Sequence, residues 1–110
     1  MGILRQYRQG DMMLEEINSI PAEAQVVKNR GRIVLAEGST KTHAHMLKAT
    51  EAQEQAHSGE RYFRVKKRTK LECLNNSGES RHDALSIEKG DYRLVLQREY
   101  TPEAIRNVLD

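Results

Sequence analysis

Two histidines separated by a single residue, His43 and His45, carry the clearest chemical potential in the chain. Side chains alternate across an extended strand, so His43, His45 and Leu47 fall on one face and Ala44, Met46 and Lys48 on the other. Two neutral imidazoles aimed the same way can each bring a ring nitrogen to about 2.0–2.2 Å from one metal ion. On a helix the same spacing would splay them apart. His82 opens a later apolar stretch and is the natural third ligand. Three nitrogens would leave positions on the ion for water or a substrate. Nitrogen donors suit zinc, iron, nickel or manganese better than magnesium or calcium, which prefer oxygen. The expected cofactor is therefore a divalent ion held by His43, His45 and His82. His57, in a polar stretch, is a weaker ligand. Glu37, Glu51 and Glu54 are the acids close enough in sequence to add a carboxylate or act as a base, with solvated loop acids as the plainer reading. The opposing reading of the histidine pair is that both rings hydrogen-bond within a half-buried sheet and hold no ion.

Other chemistries find less support. Cys73 is the single cysteine, which excludes an internal disulfide framework and any zinc site with several thiolates, suits a reducing compartment, and reads as a small buried hydrophobe. No glycine-rich phosphate loop or serine elbow is present, and Gly38-Ser39-Thr40-Lys41-Thr42 shares only its Lys-Thr ending with the former. Arg61, Arg64, Lys66, Lys67, Arg68 and Lys70, with Tyr62 and Phe63 among them, form the best local case for nucleic acid. A solvated sheet edge guarded by cations explains the same residues, and that is the expectation. The formal net charge of +2 adds no strong long-range attraction to nucleic acid or an anionic membrane.

These residues must be positioned by a small domain. The chain of 110 residues, 37% hydrophobic and 31% charged, suits one core with a wet surface, a single domain over 1–110. No window approaches the ~20 apolar residues of a membrane span, and the N-terminus lacks the apolar stretch of an export signal. A cytoplasmic location is expected.

Short apolar runs between turn signals predict strands over 12–17, 32–36, 42–47, 62–65 and 70–74. Residues 66–69 either bridge two strands or continue one, and 21–27 fits a helical turn or an extended link equally. Residues 50–60 read as a polar loop with at most one helical turn. Glu88-Lys89-Gly90-Asp91 between two apolar runs predicts a hairpin of 82–87 with 92–97, with Gly90 at positive φ. Thr101 as N-cap, Pro102 and Glu103 predict a short helix over 102–109. Six or seven short strands with one terminal helix amount to a mainly β fold, a small antiparallel barrel or sandwich with a short C-terminal α-helix.

Gly38, His43 and His45, followed at some distance by the acid Glu51, resemble the first motif of the cupin superfamily. In that motif a glycine precedes a His-x-His pair and a glutamate completes a metal site in a small β-barrel. The resemblance implies a cupin-like barrel with a metal near one mouth. Thr42-His43-Ala44-His45, the later His82-x-x-Leu85-x-Ile87-x-x-Gly90-x-Tyr92 and the ending Gln97-Arg98-Glu99-Tyr100-Thr101-Pro102 also look like a group of short uncharacterised proteins of bacteria and their phages. That likeness brings no activity with it. The functional expectation is a divalent-metal site of unassigned reaction, acting on a small-molecule ligand or a protein partner. A homo-oligomer fits this expectation, while nucleic acid and membrane do not. The competing expectation is a non-enzymatic structural or interaction protein, such as a phage accessory or capsid-associated component, in which the histidines only pack.

Overall fold

A computed structural model describes residues 4–37, 43–75 and 80–96, with the backbone alone at Glu37, His43 and residues 80–82. Its strands in chain order are β1 (Gln6–Gln9), β2 (Met12–Ile17), β3 (Gln25–Val27), β4 (Arg32–Glu37) and β5 (His43–Lys48), then β6 (Ala52–His57), β7 (Glu60–Val65), β8 (Thr69–Asn75), β9 (Ser80–Ile87) and β10 (Gly90–Leu96). They form a six-stranded sheet, ordered β1-β2-β10-β7-β6-β3, and a four-stranded sheet, ordered β4-β5-β8-β9. Every pairing is antiparallel. The fold is thus mainly β, but the two sheets stay open instead of closing into a barrel. The predicted helix over 102–109 lies outside the described residues.

The two sheets share one core because period-two patterning gives each strand a buried face. Met12 and Leu14 of β2, Phe63 and Val65 of β7, and Tyr92 and Leu94 of β10 meet Ile33 and Leu35 of β4, Leu47 of β5, Leu71 of β8 and Ile87 of β9. On β5 the predicted alternation is observed, with His45 and Leu47 buried and Lys48 exposed.

Three expectations are overturned. Residues 52–57 are not loop but strand β6, paired with β3 on one side and β7 on the other. Its Ala, Gln and Glu have poor β propensity, and pairing on both sides outweighs it. The turn into β7 uses positive φ at both Ser58 (51°) and Gly59 (80°), the backbone that a two-residue hairpin needs.

β9 and β10 do not pair either. β9 belongs to the four-stranded sheet and β10 to the other, so residues 88–89 carry the chain between layers. Two tyrosine hydroxyls grip that link: Tyr92 Oη donates to the Glu88 carbonyl at 2.6 Å, and the Glu88 amide donates to Tyr7 Oη at 3.3 Å. Gly90 is absent from the positive-φ glycines. Its role is close approach, since a Cβ there would meet Glu16 Oε2 at 3.1 Å and Tyr92 Oη at 3.4 Å.

The basic stretch is not an edge. β7 lies between β10 and β6, and β8 between β5 and β9, with residues 66–68 crossing from one sheet to the other. The sheet edges are β1, β3, β4 and β9. Four of the cations face carboxylates instead: Arg61 pairs with Glu54, Arg64 with Asp91, Lys67 with Glu51 and Arg68 with Glu88.

Candidate functional site

Each end of the row that contains His45 is marked by a break in strand register. Between β4 and β5, Val34 faces Met46 and Ala36 faces His45, so Leu35 is an extra residue. Between β8 and β9, Leu71 faces Leu85 but Cys73 faces His82, and Leu74 then faces Ser80, so β9 bulges on both sides of His82. His45 in turn faces Cys73. Ala36, His45, Cys73 and His82 therefore stand in one line across the four-stranded sheet. Bulges of this kind re-aim side chains and leave backbone groups outside the ladder.

The breaks at both ends of the row are met by polar side chains from the opposite sheet. Gln9 at the end of β1 donates from Nε2 to the Leu71 carbonyl at 3.1 Å and to the Asp83 carbonyl at 3.0 Å. With both N–H groups engaged, its Oε1 must accept, and His45 Nδ1 lies 2.7 Å away. The proton of the neutral imidazole thus sits on Nδ1, and Nε2 carries the lone pair. That lone pair lies 4.0 Å from Cys73 Sγ. Gln9, His45 and Cys73 are 4%, 1% and 0% exposed. The other end is met by Arg61 of β7, which donates to the carbonyls of Leu35 and Val34 at 2.8 Å each and to Glu54 Oε2 at 2.8 Å. Its guanidinium also lies 5.4 Å from the Phe63 ring centroid.

The predicted site residues are partly gathered. His45 and His82 stand in the same cross-strand row, and His43 lies two residues along β5, opposite Asn75. Among the described residues no group of three or more His, Cys, Asp or Glu is close enough to hold an ion; His45 and Cys73 make a pair. The acids are elsewhere. Glu51 accepts from Thr69 Oγ1 and pairs with Lys67, and Thr69 lies four residues from Cys73 along β8, about 13 Å of strand. Glu54 is taken up by Arg61 and Asn29. His57 ends β6 in the other sheet, opposite Glu60. Glu51, the acid of the cupin resemblance, is thus engaged with Thr69 and Lys67 and lies away from His45.

Two residues were missed from the sequence. Cys73 continues the buried alternation of Thr69 and Leu71, so its inward face was readable, but its place beside His45 depends on register. Gln9 offers no local signal, because it acts across sheets on residues 36 to 74 positions away. The groove on the outer face of the four-stranded sheet, lined by Lys48, Arg68 and Lys70 against Glu51 and Glu72, carries both signs of charge and not a uniform basic surface.

Residues 8–97 match the family described as Domain of unknown function (DUF8820). No curated protein and no solved structure matches the chain. Among the described residues no helix is long and apolar enough to cross a membrane.

Proposed function

The chain belongs to this family of unassigned activity, and we propose that it binds one divalent transition-metal ion through His45 and His82, with His43 as the third nitrogen. The observation that carries this reading is the 2.7 Å contact between His45 Nδ1 and Gln9 Oε1. A metal-ligating histidine characteristically donates its other ring N–H to a fixed acceptor, which sets the tautomer and orients the ring. Gln9 does this for His45, and its own amide is held by two carbonyls. The bulges on either side of His82 and the line His45–Cys73–His82 add to the case. A bound ion would supply Lewis acidity or cross-link two strands. The protein's own contribution is a lone pair at Nε2 in a water-poor setting.

Metal analysis of protein purified without a histidine tag tests the reading. About one equivalent of zinc, iron, nickel or manganese is expected, with a rise in unfolding midpoint that corresponds to about 2.7 kcal/mol when free metal is 100 times its Kd. Affinity should fall as pH drops through about 6.5, where ordinary imidazoles take up protons. His45→Ala should abolish binding, and so should His82→Ala. No stoichiometric metal and no thermal gain would sink the proposal.

One observation favours a second reading, that of a non-enzymatic structural or interaction protein. Gln9 and His45 already satisfy each other, and Gln9 also satisfies a buried carbonyl of Leu71 and a part-buried one of Asp83, so the network has a sufficient role in holding the sheets in register. Under that reading the chain gains no stability from metal, while Gln9 and His45 variants are destabilised alike.

A further inference from the structure

We infer that Cys73 is itself a ligand of that ion, as a thiolate, which makes the site a closed nitrogen–sulfur centre. The inference rests on the metal reading above and adds to it the sulfur, the class of metal and the structural character of the site.

The argument begins with the register. His45 and His82 are the Cα partners of Cys73 on its two sides. Neighbouring strands lie about 4.8 Å apart, so the two histidines are about 10 Å apart at the backbone with the cysteine midway between them. An ion shared by residues so placed lies over the cysteine. The distance agrees: zinc bonds of about 2.0–2.1 Å to nitrogen and about 2.3 Å to sulfur at a tetrahedral angle set the two donors about 3.6 Å apart, and His45 Nε2 stands 4.0 Å from Cys73 Sγ. A shift of a few tenths of an ångström closes the gap.

The donor set then selects the metal. Thiolate with imidazole favours zinc, and copper or iron in their reduced states, over manganese, which prefers oxygen. Exposure of 1% at His45 and 0% at Cys73 leaves little room for an exchanging water, so the ion is structural in kind, coupled to folding more than to turnover. On binding, the sulfur–hydrogen bond is exchanged for a metal–sulfur bond and the proton leaves to buffer.

The 110-residue chain, untagged and refolded with one equivalent of cobalt(II), gives the test. The expected result is an intense near-ultraviolet absorption from thiolate-to-cobalt charge transfer together with the strong visible bands of tetrahedral cobalt. Cys73→Ala should lose the ultraviolet band and bind cobalt at least tenfold more weakly. Should that variant not fold, X-ray absorption on the zinc-loaded natural chain decides instead, with a sulfur neighbour at about 2.3 Å expected. Cobalt or zinc bound without a sulfur signature would overturn the thiolate assignment and leave the histidine reading standing. A chain that takes up neither metal would overturn both.

Discussion

The four-stranded sheet breaks register at both ends of the His45 row, once between β4 and β5 and twice between β8 and β9, and the molecule treats the two ends differently. At β4 the freed carbonyls of Val34 and Leu35 accept from Arg61, a cation that Glu54 neutralises in turn. At β8 and β9 the carbonyls of Leu71 and Asp83 accept from Gln9, a neutral amide whose oxygen goes on to orient His45. The first arrangement is partly open, with 35% of the Arg61 side chain exposed. The second is dry. Both satisfy backbone groups that burial would otherwise penalise. The first ends in a neutralised ion pair, whereas the second continues to an imidazole nitrogen whose lone pair faces a thiol. Polar residues inside a sheet sandwich are therefore not alike; what distinguishes these two is where their hydrogen-bond chains lead after the backbone has been served.

This difference should appear in stability. Gln9→Ala strips a partner from the buried Leu71 carbonyl and from buried His45 Nδ1, and from the part-buried Asp83 carbonyl. Each such group costs about 1–3 kcal/mol when left bare, so allowing for relaxation a loss of about 4 kcal/mol in urea unfolding is expected. Arg61→Ala is expected to cost less, about 2 kcal/mol, because water can reach the two carbonyls and Asn29 still donates to Glu54. Salt sharpens the contrast. The Arg61 effect should shrink between low salt and about 1 M, where screening is strong, and the Gln9 effect should not. Equal losses with equal salt dependence would erase the distinction between the two ends.

The same contrast explains what could be read from the chain. Strands β2, β4, β5, β7, β8, β9 and β10 contain apolar or β-branched runs, and their existence was legible from pattern. β1, β3 and β6 were not, because Gln6-Tyr7-Arg8-Gln9 and Ala52-Gln53-Glu54-Gln55-Ala56-His57 owe their extended form to neighbours and not to their own composition. The inward face of His45 followed from alternation alone. Its partners did not, because a bulge moves register by one residue and no local feature announces it. The basic stretch misled for a related reason: the acids that pair with Arg64 and Arg68, Asp91 and Glu88, lie 20 or more residues away.

A third junction, the link from β9 to β10, extends the comparison to hydroxyl groups and carries the smallest expected effect. Tyr92 is fully buried, its ring meets Tyr7 edge to face at 5.8 Å, and its hydroxyl holds the Glu88 carbonyl. Tyr92→Phe removes that one hydrogen bond while keeping the ring, so a loss of about 1 kcal/mol is expected near neutral pH. Alkaline pH separates this hydroxyl from an exposed one. Burial, and next the neighbouring Tyr7, raise the Tyr92 pKa well above the ordinary tyrosine value. Above about pH 10 an unfolded chain gives up its phenol proton while the folded chain retains it. The unfolded state then binds fewer protons, so the stability that Tyr92 contributes is whole below about pH 10 and is lost as pH rises, at a slope approaching 1.4 kcal/mol per pH unit, roughly the linkage limit for one proton. The Tyr92→Phe chain lacks this titrating group. The natural chain's advantage at about pH 8 should therefore narrow and then reverse by about pH 11, read from urea midpoints of the two proteins side by side. Parallel decline of both chains would mean that the Tyr92 hydroxyl is open to water and that the link is held by the ring alone.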